Sequence, residues 1–227
     1  MTMTPQYQPK QRCFTLLAIL ISAALPLLAA EDEWTSLFDG KTLLGWQATE
    51  FGGPPEEAHV EDGKLILEMG AAELSGVTRT APVPRINYEV VLNAMRVEGG
   101  DFFCGLTFPV KDSCCSLIVG GWGGGLVGIS SLDDLDASQN ETTRFMTFES
   151  KRWYAIRVVV TSNRIQAWID DKRIVDVRTE ERRISVRYEV EKSQPFGIAA
   201  WNTKAAIKDI KMRRLNPEQA KAADTGD

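Results

Sequence analysis

The chain has 227 residues, 44% of them hydrophobic and 25% charged, with a formal net charge of −5. A phosphate-backbone partner demands a basic footprint, so this acidic balance excludes nucleic acid as the expected ligand. It agrees with a neutral ligand such as a glycan.

Residues 1–30 read as an export leader. Lys10 and Arg12 precede an apolar stretch over 14–28, and Ala29-Ala30 follows ahead of acidic Glu31-Asp32-Glu33. The apolar stretch, about 15 residues, falls short of the ~20 that span a bilayer as a helix. Cleavage after Ala30 is therefore expected, with a periplasmic or extracellular product and no integral membrane segment. Cys13 precedes the apolar stretch and is not placed to carry a lipid at the cut. Residues 31–227 keep all 31 acidic residues and lose two basic ones. Their length suits one all-β domain with a substantial core.

Cys104, Cys114 and Cys115 remain after the leader. Export permits a disulfide, and an odd count leaves a thiol unpaired within a monomer. In a strand, adjacent Cys114 and Cys115 point to opposite faces. A bridge from Cys104 to one of them across neighbouring strands fits, and so do three small buried hydrophobes. With neither Cys-x-x-Cys spacing nor a Cys/His cluster, structural zinc is not expected.

In chain order, Leu37 to Trp46 is a glycine-punctuated run that predicts a strand, a tight turn and a second strand. A strand over 64–68 follows the turn Glu61-Asp62-Gly63. Residues 88–97 alternate, with Tyr88, Val90, Leu92 and Ala94 on one face. Residues 102–108 repeat the pattern, Phe102, Cys104, Leu106 and Phe108 opposing Phe103, Gly105 and Thr107. Short strands are predicted over 116–119 and 126–129, on either side of a glycine cluster. Residues 153–160 and 164–169 form a hairpin through Thr161-Ser162-Asn163, and 173–177 follows Asp170-Asp171. Strands over 196–200 and 207–215 close the domain. The segment 131–139 has room for one helical turn, and 216–227 reads as a frayed polar tail. Short alternating strands with regular turn signals predict an all-β sandwich of antiparallel sheets in a single domain over 31–215.

Several of these landmarks, in this order, resemble the 3-keto-disaccharide hydrolase family. They are the opening run, Val60-Glu61-Asp62-Gly63-Lys64-Leu65, Asn87-Tyr88-Glu89-Val90, Trp153-Tyr154 through Trp168-Ile169-Asp170-Asp171, Gly197-Ile198-Ala199, and Ile207-Lys208-Asp209-Ile210-Lys211. The resemblance covers residues 34 to 215. It implies a concanavalin-A-like jelly-roll sandwich of two curved antiparallel sheets, in which the first and last strands pair, and a carbohydrate partner. It also implies cleavage of 3-keto-glycosides. A carbonyl at C3 acidifies the C2 proton, so a base can begin an elimination that hydration completes. The chain departs from the family pattern at Asn93 and Met95, at Phe103-Cys104-Gly105, and over 117–120, where polar positions have become apolar or glycine.

The candidate site residues lie between those departures. Gly120-Gly121-Trp122-Gly123-Gly124-Gly125 lacks the Gly-Lys-Ser/Thr of a phosphate loop. It reads either as a bulged strand pair or loop, or as a glycine platform, Gly123 included, presenting Trp122 to the apolar face of a sugar. Asp133-Asp134-Leu135-Asp136 offers oxygens for calcium but lacks EF-hand spacing, so a solvated loop is expected and no metal or cofactor is assigned. In an extended segment Asn140, Thr142 and Arg144 would share one face, opposite Glu141 and Thr143. The expected base is Glu141 or Asp101, Arg144 would steady the enolate, and Trp122 and Asn140 would bind the ligand. The bland reading of Glu141 and Arg144 is a surface pair of little energetic weight. His59 stands alone, and with no Ser-His-Asp triad in view it reads as packing. A non-catalytic carbohydrate-binding module, or a laminin-G-like interaction domain, explains the same fold and acidity. Oligomeric state is not legible in the sequence.

Overall fold

The computed structural model describes Met1 and residues 33–226 apart from Ala71. All of the expected leader but Met1 lies outside the described residues. In chain order the elements are β1 (Thr35–Ser36), β2 (Trp46–Ala48), β3 (Ala58–Glu61), β4 (Lys64–Leu67), β5 (Leu74–Arg79), β6 (Tyr88–Gly99), β7 (Cys104–Val110) and β8 (Ser113–Gly120). They continue with a single turn α1 (Gly121–Gly124), β9 (Leu126–Ser130), β10 (Arg144–Phe145), β11 (Trp153–Val160), β12 (Arg164–Ile169) and β13 (Lys172–Arg178). A 3-10 helix (Tyr188–Ser193), β14 (Gly197–Trp201), β15 (Thr203–Arg214) and α2 (Pro217–Thr225) complete the chain.

Two antiparallel sheets make a jelly-roll sandwich. One runs β13-β12-β11-β6-β15-β4-β3, with β1 also on β15; the other runs β10-β9-β8-β7-β14-β5-β2. Alternation explains the layer between them. Val90, Leu92 and Ala94 of β6 meet Leu106, Phe108, Cys115 and Leu117 of the facing sheet in one buried cluster. Each large side chain fully removed from water contributes roughly 1.5–3 kcal/mol. Tyr88, also fully buried, donates its hydroxyl to the Pro109 carbonyl at 2.7 Å, tying the sheets together. On the other side of β6, Glu89 is buried but accepts hydrogen bonds from Arg157 and Arg213.

The opening run Leu37 to Trp46 connects two strands instead of forming them: β1 ends at Ser36, β2 begins at Trp46, and the two join different sheets. β1 pairs with β15, and β2 pairs with β5. Between them Asp39 Oδ1 accepts from the amides of Lys41 and Thr42, each at 2.8 Å, and the indole of Trp46 donates to Leu37 O at 2.7 Å. The first and last strands do pair. β15, however, is interior to its sheet, so β13, β3, β10 and β2 remain as edges, as does β1, whose one partner is β15.

Two further expectations are corrected, and one pair of alternatives is decided. The C-terminal segment is folded: Asn216 and Gln219 form a reciprocal capping box for α2, and Asp224 Oδ2 accepts from Asn163. Segment 131–139 contains turns and bridges from Leu132 to Leu135 and Ile184 rather than a helical turn. The three cysteines are buried and unbridged. Cys104 lies opposite Val119 while Cys115 lies opposite Phe108, which separates them along the strands. Burial pushes the Cys104 thiol up to about 12 and raises Cys115 further. Among the described residues no helix is long and apolar enough to cross a membrane.

Candidate functional site

The outer face of the β8-containing sheet carries two cross-strand rows. The register aligns Thr78, Gly197, Thr107, Ser116 and Ser130 in one row, and Gly76, Ala199, Gly105, Ile118 and Gly128 in the next. Side chains two apart share a face, so these hydroxyls and small residues form a low floor. Loops sit close on it. A Cβ at Gly105 would lie 2.9 Å from Phe102 Cε2, and one at Gly128 would lie 3.0 Å from Ala137 O. The loops leave a cleft of about 200 Å³ lined by Asp101, Phe102, Ile118, Trp122, Ser130, Arg187, Glu189, Val190 and Trp201.

One wall is the glycine turn. Gly120, Trp122, Gly123 and Gly124 all have positive φ, from 47° to 103°, which three glycines adopt without the Cβ penalty. Below them Arg96 donates from Nη2 to Gly124 O at 2.7 Å, with its guanidinium 5.3 Å from the Phe103 ring centroid. Burial lowers the Arg96 pKa. Asp101 fixes the turn from the side. Its Oδ2 accepts from Gly123 N at 2.9 Å and its Oδ1 from Phe102 N at 2.8 Å. Thr203 Oγ1 in turn accepts from Asp101 N and donates to Asp101 O. The result places the half-exposed Trp122 beside a carboxylate; Trp201 packs on Phe102, ring centroids 6.3 Å apart, elsewhere in the same lining.

The other wall comes from residues 187–190. Arg187 donates from Nε and Nη2 to both oxygens of Glu189 and from Nη1 to Asp136 Oδ2 at 2.7 Å. Its guanidinium lies 5.7 Å from the Trp122 ring centroid. The bidentate hydrogen bond holds Glu189 below the usual carboxylate range and raises Arg187. Similar pairs brace the loops outside the cleft, joining Arg182 to Asp133 and Glu141, and Arg183 to Asp134. Asp133 and Asp134 stay exposed, as expected of a solvated loop, while pairing with arginines; Asp136 is half-buried beneath Arg187.

The structure brings Asp101, Trp122 and Gly123 together and leaves the other candidates elsewhere. Glu141 is exposed and paired with Arg182 at 2.6 Å. Asn140 is buried; its amide donates to Ile129, Leu135 and Asp136 carbonyls and its oxygen accepts from Thr142 N and Oγ1. Arg144 is exposed and donates to the Glu141 and Thr143 carbonyls. The shared face expected of Asn140, Thr142 and Arg144 does not form, because 140–142 is turn and the strand begins at Arg144. Sequence reasoning missed Ser130, Arg187, Glu189 and Trp201. The Arg187-Tyr188-Glu189 grouping, two charges around an aromatic beside the closing strands, was the available signal.

The 3-keto-alpha-glucoside-1,2-lyase-like domain family matches residues 33–213. The fold is similar to that of a protein from Parabacteroides distasonis ATCC 8503 designated a glycosyl hydrolase, with TM-score 0.52, 12% identity, and coverage of 81% of this chain and 94% of that one. It is similar also to a native glycosidic hydrolase, with TM-score 0.51, 9% identity, and coverage of 81% and 96%. No curated protein matches the chain. The fold and the extent of the family match agree, and the chain belongs to the 3-keto-alpha-glucoside-1,2-lyase-like domain family.

Proposed function

We propose that this chain is an exported glycan-acting domain that takes a sugar into the cleft between Trp122 and the Arg187–Glu189 wall and cleaves the glycosidic bond of a 3-keto-glycoside. The observation that carries the reading is the carboxylate of Asp101, held by two backbone amides in the same cleft as two indoles and a guanidinium. Family membership supports the substrate class, and the leader supports export.

In this mechanism Asp101 takes the C2 proton, and the C2–H electron pair moves toward C3, placing negative charge on the carbonyl oxygen. Arg187 lies in the cleft to stabilise that enolate, as a preorganised cation does where charge develops. The enolate reforms the carbonyl, a C1=C2 double bond forms and the C1–O bond breaks. The departing oxygen takes the proton back from Asp101. Addition of water across C1=C2 then completes a net hydrolysis.

A specific observation favours a second reading, a non-catalytic carbohydrate-binding module. Glu189 and Arg187 neutralise each other, and most of the remaining lining is apolar. An aryl 3-keto-glucoside separates the readings. The enzyme releases the phenol, and Asp101→Asn lowers kcat by at least ~100-fold, the scale of a lost general base. Glu141→Gln, outside the cleft, leaves kcat unchanged. Sugar binding without release of phenol would support the binding module instead.

A further inference from the structure

Ser130 ends β9 on the floor of the cleft and is only 1% exposed. Its hydroxyl can donate and accept, yet Ser130 Oγ has no hydrogen-bond partner among the described residues. The register explains why. Ser116, directly opposite, spends its hydroxyl on Thr107 at 2.8 Å. Thr142, which caps the same strand, accepts from Ile129 N and donates to Asn140. Of the buried side-chain polar atoms left without a partner among the described residues, Ser130 Oγ alone belongs to a residue lining the cleft.

A buried hydroxyl without a bond costs stability, and such groups in folded proteins ordinarily have an explanation. Here the explanation is positional. Ile118 and Val190 in the lining offer it nothing polar, and the hydrogen bonds of Arg187 run to Glu189 and Asp136 and not to Ser130. We propose that Ser130 is a specificity-determining contact, its hydroxyl bonding a ring hydroxyl or carbonyl oxygen of the sugar at the floor of the cleft. This rests on the reading that the cleft takes a sugar. It implies that a sugar lacking that oxygen is rejected, because the hydroxyl would then be buried unpaired in the complex as well.

The test pairs calorimetric titration of methyl 3-keto-α-glucoside and methyl α-glucoside with thermal melts of the unliganded protein. Wild type, Ser130→Ala and Trp122→Ala are compared. The expected result is a loss of at least tenfold in affinity for Ser130→Ala, with a melting temperature unchanged or raised. A melting temperature lowered by several degrees would show that the hydroxyl has a structural partner and overturn the proposal. Affinity lost in Trp122→Ala but kept in Ser130→Ala would overturn the role of Ser130 while leaving the cleft as the sugar site. Failure of wild type to bind either glucoside would overturn the sugar reading, and the Ser130 contact with it.

Discussion

Arg187 is the residue on which the cleft wall turns, since it touches Glu189, Asp136 and Trp122 at once. Arg187→Ala removes all three contacts; the ion-pair part, on a partly exposed pair, is about 1 kcal/mol. Arg187→Lys does not restore the wall, because an ammonium cannot make the bidentate bond. The pH dependence follows from the lowered pKa of Glu189. A carboxylate depressed in the folded state contributes stability that is fully present above its ordinary value of 4.5 and lost as pH falls through the folded value. The difference in melting temperature between wild type and Arg187→Ala should therefore hold steady at neutral pH and shrink below pH 4.5. A difference that grows on acidification would contradict this pairing. At this scale the sequence disclosed one wall and concealed the other. Asp101 and Trp122 flank a single hairpin, β7–β8, and a visible glycine cluster marks the second. Arg187 and Glu189 reach the same cleft only through loop packing, which no local pattern encodes. Asn140 looked like a ligand residue because amides often are; its amide instead braces its own loop.

Among the elements, the glycine turn sets where Trp122 stands. A Cβ at Gly120 would lie 2.7 Å from Arg96 Nη2 and 3.0 Å from Phe103 Cε1, at a φ of 81°. Gly120→Ala is expected to cost about 1–3 kcal/mol, the range for an L-residue forced into a sparsely populated backbone region, and to weaken sugar binding as Arg96 and the turn shift. Denaturant unfolding and calorimetric titration of methyl 3-keto-α-glucoside check the two effects; unchanged stability would mean the turn has room to relax. β6 was readable from its alternation, Glu89 and Asn93 falling between Tyr88, Val90, Leu92 and Ala94, and β11 and β12 from their β-branched and aromatic residues. β5 was not, since Gly76 interrupts its alternation and both its faces are covered. α2 escaped notice because its composition is polar, although Asn216-Pro217 and Gln219 spell its capping box.

For the whole molecule, the sandwich and its loops act as a closed scaffold that holds the cleft from outside. The core needs no bridge: Cys104, Cys114 and Cys115 are buried, and burial disfavours the thiolate that would react. An exposed-thiol reagent should leave all three unmodified in the native protein and label them after denaturation; rapid labelling of the native protein would contradict the packing. The architecture as a whole was legible from alternation and turn spacing. The seating of loops on the Gly76–Gly128 row, which creates the cleft, was not, because it depends on contacts between segments remote in sequence. If Asp101 removes a proton from a sugar held in this cleft, the protein exchanges the hydrogen at C2 of methyl 3-keto-α-glucoside for deuterium, which proton NMR in deuterium oxide follows. Wild type should accelerate loss of the C2 signal, and Asp101→Asn, folded to the same melting temperature, should return it to the uncatalysed rate. Exchange at the uncatalysed rate with wild type, under conditions where the sugar is bound, would contradict the account.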